Sequence, residues 1–82
     1  RESGFGRYDV MLKPFDKSKT AYILEFKVHN PRTEDSLEDT VSKALLQIDE
    51  KNYDAELIAD GFRKEQICHF GFAFEGKHVL IG

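Results

Sequence analysis

The stretch from Ala21 to Val28 constrains this chain more than any other. It alternates between two faces, with Tyr22, Leu24, Phe26 and Val28 on one and Ala21, Ile23, Glu25 and Lys27 on the other. Its aromatic and β-branched content is that of a strand. The first face is wholly apolar. The second places two charges beside Ala21 and Ile23, so it is neither a plain solvated face nor a plain core face. A strand with that mixture has to be partly buried, and its charges then need a chemical reason.

A second strand reads from Tyr8 to Lys13, with Tyr8, Val10 and Leu12 opposed to Asp9, Met11 and Lys13. Gly4-Phe5-Gly6 before it reads as a loop. Pro14 and the polar run Asp16-Lys17-Ser18-Lys19 end the strand and turn the chain back. Strands this close in sequence pair by default as an antiparallel hairpin. A turn centred on the polar run sets Lys13 opposite Ala21, and the same register sets Asp9 opposite Glu25. Directly opposed side chains have Cβ atoms about 5 Å apart, and like charges there repel. A divalent cation removes that penalty, and two carboxylates with water and phosphate oxygens suit Mg²⁺. Lys27 lies two residues beyond Glu25 on the same face, where an ammonium can steady a developing charge or help deprotonate a water. Asp9, Glu25 and Lys27 together predict a site for phosphodiester hydrolysis.

His29-Asn30-Pro31-Arg32 breaks the second strand. A helix follows, with Asp35 or Ser36 as its N-cap and Glu38 and Asp39 at the positive end of its dipole. Leu37, Val41, Ala44, Leu45 and Ile48 repeat at helical spacing and face the sheet, and Lys51 lies in the last turn. Tyr53 to Ala59 reads as a short second helix ended by Gly61. Ile67 to Phe74 and Val79 to Ile81 read as two further strands, joined by a turn at Glu75-Gly76-Lys77. The fold class is mixed α+β, a mixed sheet packed on helices. At 82 residues the chain makes one domain with a thin core. A net charge of -3 argues against broad nonspecific adhesion to nucleic acid but not against a local basic strip. Cys68 has no partner, which excludes a disulfide framework and fits a reducing, cytoplasmic setting; a small core residue or an inert thiol is expected there. No apolar run is long enough for a membrane span. His29, His69 and His78 share no zinc-ligand spacing, and Glu34-Asp35 with Glu38-Asp39 read as a charge cluster at the helix start. Arg7, Lys13 and Lys43 are candidate phosphate contacts.

Gly6-Arg7-Tyr8-Asp9 followed by Ile23-Leu24-Glu25-Phe26-Lys27 resembles the paired motifs of the PD-(D/E)XK nuclease superfamily. Ala44-Leu45-Leu46-Gln47-Ile48 with Lys51-Asn52-Tyr53 resembles the Gln-x5-Tyr helix motif of one branch, and Gly71-Phe72-Ala73-Phe74 resembles the strand after that helix. Within the superfamily the chain is most similar to nuclease-like domains C-terminal to AAA-ATPase-like domains in bacterial proteins. The resemblance implies a restriction-endonuclease-like core with a mixed sheet flanked by helices, here lacking the N-terminal helix and first strand, so that 1–82 is a single truncated domain. It implies Asp9 and Glu25 as ligands of Mg²⁺ or Mn²⁺, Lys27 serving the attacking water, Gln47 orienting the site from the helix, and Tyr53 supporting it. Tyr8 stands where the name motif has proline.

The expected activity is metal-dependent hydrolysis of nucleic acid, DNA ahead of RNA, with the fragment alone weak or inactive. The alternative is a noncatalytic nuclease-fold module that binds nucleic acid or protein. An ATPase-like domain in the same parent chain is the implied partner, and an uncovered sheet edge allows pairing with a second copy.

Overall fold

Alternation along the strands decides the architecture. A computed structural model describes residues 9–82; the Gly4–Gly6 loop, the Tyr8 end of the first strand and Arg7 lie outside the described residues. The elements are β1 (Val10–Leu12), β2 (Ala21–Val28), α1 (Leu37–Glu50), α2 (Asp54–Ala59), a 3-10 turn at Lys64–Gln66, β3 (Ile67–Glu75) and β4 (His78–Ile81). They build one four-stranded sheet in the order β1-β2-β3-β4. β1 pairs antiparallel with β2, β2 parallel with β3, and β3 antiparallel with β4. The parallel step needs a long crossover, which α1 and α2 supply. The mixed α+β class and the restriction-endonuclease-like arrangement follow.

The first strand is shorter than its alternation suggests, because among the described residues only Val10 to Leu12 complete a ladder. Its register is the expected one: Val10 faces Leu24, Met11 faces Ile23 and Leu12 faces Tyr22. Ser36 caps α1 by accepting from the Asp39 N–H at 3.3 Å, while the Asp39 carboxylate accepts from the Asp35 N–H at 2.9 Å. That bracket satisfies donors the helix start would otherwise leave open. Lys51 sits one step past the last turn, as the C-cap. Asn52 then takes φ 50, a left-handed conformation that asparagine tolerates, and turns α1 sharply into α2. Gly61, at φ 104, ends α2.

α1 lies across β2 and β3. The core beneath it and α2 gathers Ala21, Ile23, Ile48, Tyr53, Leu57 and Phe62, with Met11, Leu45 and Ile67 packed against it. Close approach of α1 depends on Gly71. A Cβ there would stand 2.9 Å from the Ala44 Cβ and 3.0 Å from the Val41 carbonyl oxygen, closer than packed atoms can come. Gly71→Ala is therefore expected to destabilise the chain by about 1–3 kcal/mol through overpacking, read as a melting-temperature loss of several degrees.

The helix row needs two corrections. Leu37 is only half-buried, as is Leu45, although Leu45 packs against the core as expected, and Thr40, outside the apolar row, is fully buried. Its hydroxyl explains the difference, donating to Glu34 Oε1 at 2.7 Å while His29 Nδ1 lies 2.8 Å away. Glu34 is thus no simple member of a surface charge cluster. It is buried, accepts from the Asn30 N–H at 2.8 Å and pairs with Lys43 at 3.3 Å. Those donors, led by the Asn30 N–H, hold its carboxyl down to about 2. A carboxyl lowered by folding adds stability above its ordinary value near 4.5 and loses it as pH falls toward 2. Glu34→Gln should accordingly lower the melting temperature at pH 6, and the difference from the parent should fade as melts are repeated down to pH 3.

On the opposite side, Val10, Leu12, Tyr22, Leu24, Phe26, Val28, Phe70, Phe72, Phe74, Val79 and Ile81 point away from the helices. Tyr22 stacks with Phe70, and Phe26 meets Phe72 and Phe74 edge-on. Nothing among the described residues covers this face, and Val28 is 78% exposed. Cys68 lies here too and is exposed, not a core residue. Its even-numbered place on β3 turns it away from α1.

Candidate functional site

The helix-covered face of β2 carries Ala21, Ile23, Glu25 and Lys27 in a row. Ala21 and Ile23 are fully buried, Glu25 is 4% exposed and Lys27 is half-buried. Glu25 is therefore a carboxylate inside the domain. Gln47 reaches it from α1, its Nε2 donating to Glu25 Oε2 at 2.7 Å and lying 3.3 Å from the Tyr53 hydroxyl. One side-chain amide has two protons, so Gln47 spans both partners and is held in a single orientation. Tyr53 is fixed in turn: it is 1% exposed and belongs to the core.

The other oxygen, Glu25 Oε1, is buried without a hydrogen-bond partner among the described residues. A native fold rarely leaves a carboxylate oxygen so, because an unmet buried acceptor costs about 1–3 kcal/mol. Burial pushes the Glu25 carboxyl up to about 7, and the neighbouring Asp9 carboxylate pushes the same way. The Lys27 ammonium and the Asp9 backbone N–H oppose that rise in smaller measure.

Asp9 stands one residue before Val10, at the register position opposite Glu25. Its Oδ2 accepts from the Phe26 N–H at 2.8 Å, so the side chain continues the ladder where the β1 backbone stops. Asp9, Glu25, Lys27, Gln47 and Tyr53 are thus gathered around one end of the β1–β2 hairpin. Lys13 and Lys43 are elsewhere and occupied. Lys13 pairs with Glu56 at 3.3 Å and Asp60 at 3.5 Å, and Lys43 with Glu34.

The donor set can be tested against a hard divalent cation. Two opposed carboxylates, one with an oxygen that no other described residue satisfies, are the oxygen ligands that Mg²⁺ and Mn²⁺ take. Among the described residues no group of three or more His, Cys, Asp or Glu could hold an ion. Any ion here would rely on Asp9 and Glu25, with water and substrate oxygens completing its shell. The residues fit that group.

Two histidines acquire partners that spacing did not disclose. His69 Nε2 lies 2.6 Å from the buried Asp54 carboxylate, which also pairs with Lys64 at 3.3 Å. His29 lies against Thr40 and Glu34. The His69–Asp54 pair spans 15 residues, while His29 meets Glu34 and Thr40 across the turn that starts α1.

A family model of the PD-(D/E)XK nuclease superfamily matches residues 1–82. A mixed sheet carrying an Asp and an E-x-K strand under a glutamine-bearing helix is the fold and motif order of a metal-dependent nuclease-like domain. The chain belongs to the PD-(D/E)XK nuclease superfamily. No curated protein and no solved structure matches it. Nuclease-like function and use of a divalent metal are what this membership suggests. No helix among the described residues is long and apolar enough to cross a membrane.

Proposed function

We propose that this domain hydrolyses phosphodiester bonds of nucleic acid, DNA in preference to RNA, with Asp9 and Glu25 holding Mg²⁺ or Mn²⁺. The observation that supports this reading most is the buried Glu25 carboxylate, whose Oε1 has no hydrogen-bond partner among the described residues while Oε2 is fixed by Gln47. The bound ion would polarise a phosphate oxygen and lower the pKa of a coordinated water. Gln47 keeps the Glu25 carboxylate in one orientation, which preserves ligand geometry. Lys27, on the same face as Glu25, is placed to pair with the attacked phosphate and to hold or accept a proton from the water. Tyr53 supports Gln47 from the core. In this reading Lys13 meets phosphate by exchanging its part-exposed carboxylate partners, which such ion pairs permit at small cost, whereas Lys43 would have to leave the buried Glu34 carboxylate.

The Gln47 and Tyr53 spacing further supports kinship with the branch that accompanies ATPase-like domains, and the short edge strands allow a second copy to pair at the sheet edge. Titrating Mn²⁺ while following the free-ion electron paramagnetic resonance signal tests the metal site directly. One site is expected in the parent and none in the Asp9→Ala, Glu25→Ala double variant. Undiminished binding in that variant would end the metal reading. Competition between DNA and RNA oligonucleotides of one sequence would decide the substrate preference.

A further inference from the structure

The face of the sheet turned away from the helices is the largest feature the site does not use. A sheet with one solvated side alternates apolar and polar residues along its strands, yet here the outward positions of all four strands are hydrophobic. Leu12, Phe26, Val28, Phe74, Val79 and Ile81, drawn from every strand, are between 37% and 78% exposed. The partly exposed rings of Tyr22, Phe70 and Phe72 lie among them. A whole aromatic side chain carries about 150–250 Å² and an aliphatic one somewhat less, so the face presents on the order of 700 Å² of apolar surface. The largest apolar patch of an ordinary monomer is about 300–600 Å², and a standard interface takes about 800 Å² from each partner. The face is larger than a monomer normally leaves to water and is the size of half a dimer.

Its occupant follows from what the face lacks. It carries no charge and, apart from the Tyr22 hydroxyl and the Cys68 thiol, no polar side-chain group, so it has nothing with which to select a charged or hydrogen-bonding partner. A twofold axis needs no such groups, because it sets one patch against itself. Charge favours the same arrangement. In a chain of net charge -3, Glu38, Asp39, Asp49, Glu50, Asp54 and Glu56 all belong to α1 and α2, behind the sheet. Stacking two sheets face to face keeps those acids on the far sides, where two copies repel least. Docking through the helices would bring them together. On the two inner strands Phe26 lies 5.0 Å from Phe72 and 6.2 Å from Phe74, edge-on to both, an aromatic cluster of the kind that anchors the middle of an interface.

We propose that this face pairs with the same face of a second copy, in a closed dimer whose two sheets stack about 10 Å apart as in a β-sandwich. The pairing is distinct from strand addition at a sheet edge, and it does not rest on the nuclease reading. Glu25 and Lys27 lie on the opposite side of β2, so the dimer leaves each Asp9–Glu25 site open and turned away from its twin. Interfaces of this size bind at micromolar concentration or tighter, which sets the range in which the dimer is expected.

Sedimentation equilibrium over a dilution series of the chain tests this, with Phe72→Trp as a reporter. The sequence has no tryptophan, so the indole emission of that variant reports on this face alone. The mass should level off at twice that of one copy, and the emission should move to the blue along the same concentration curve. Phe26→Lys, in the middle of the face, should leave single copies throughout, because the twofold axis buries two unpaired charges for each substitution. Val28→Lys, at a position 78% exposed in the single copy, should keep the parent's circular dichroism and weaken the dimer by about tenfold or more. A single-copy mass at every concentration would overturn the proposal, and blue emission from that single copy would mark a face covered by the chain itself. So would a dimer whose emission stays red and which survives both lysines, the sign of pairing at a sheet edge. A mass that climbs past two copies without levelling would equally count against it, as nonspecific sticking.

Discussion

Replacing Glu25 by glutamine is expected to stabilise the metal-free domain at pH 8, to leave it nearly unchanged at pH 5, and to abolish cleavage. The sign follows from the carboxyl being raised by folding, from its ordinary 4.5 to about 7. Between those values the folded chain holds more protons than the unfolded one, so stability falls as pH rises through the window, and the full cost is carried above it. Glutamine has the shape of the protonated carboxyl and no charge to bury. At pH 5 the two side chains are therefore near equivalents. At pH 8 the variant escapes a penalty on the order of 2 kcal/mol, once relaxation of solvent at the open end of the hairpin is allowed for. For a chain of this length that is roughly 10 °C in melting temperature.

The same substitution removes the ligand. Mg²⁺ or Mn²⁺ at millimolar concentration should raise the melting temperature of the parent, because a ligand that binds only the native state stabilises it by mass action. It should leave the variant where it was. Since the ion must displace the proton on Glu25, parent affinity should also rise with pH up to about 7 and level off above it. Scanning calorimetry at the two pH values, with and without Mn²⁺, reads every part of this. A variant less stable than the parent at pH 8 would mean that Glu25 is satisfied in the fold and is no strained ligand.

How much of this could be read from the residues alone depends on the range of the interaction. The β1–β2 register came from counting back across a short polar turn, and Val10 opposite Leu24 agrees with it. The faces of β2 and the helix row at Val41, Ala44 and Ile48 came from periodicities of 2 and 3.6 that burial imposes directly. Gln47 and Tyr53 were reachable only through resemblance. A glutamine on the flank of a helix has no signature of its own until the sheet beneath shows a carboxylate for it to hold.

What stayed hidden are side-chain contacts that no periodicity announces, whether across one turn or across the molecule. Thr40 is outside the apolar row that periodicity picks out, yet Glu34 and His29 satisfy its hydroxyl and let it be buried. Glu34 reads as one of four acids at a helix start, and only the folded turn and helix bring the Asn30 N–H, the Thr40 hydroxyl and Lys43 to it. For Cys68 residue type suggests a small core residue or an inert thiol, and strand parity sets it on the uncovered face, which removes the core alternative. Gln66 pinning the hairpin loop across the molecule was not foreseeable from either segment.

Lys27→Ala should reduce cleavage by roughly 10² to 10⁴-fold, the range of a general acid–base or electrostatic contribution in a transition state, while leaving Mn²⁺ affinity within a few-fold of the parent. The two readouts part because Lys27 is no ligand: it sits two residues beyond Glu25 on the same face, close enough to lower the charge there but not to coordinate. Removing its ammonium takes away one of the influences that hold the Glu25 carboxyl down, so the midpoint of the metal-affinity profile should move to higher pH, a change that a purely structural lysine would not produce. Lys27→Arg should keep that electrostatic effect and restore the midpoint. It should recover little cleavage, because a guanidinium stays protonated and is planar where an ammonium is a compact donor. Single-turnover cleavage with saturating Mn²⁺ separates the chemical step from binding. Equal rates for Lys27→Ala and the parent would rule out a catalytic lysine, whereas no cleavage by the parent, with metal binding intact, would leave a nuclease fold that binds metal without cutting nucleic acid.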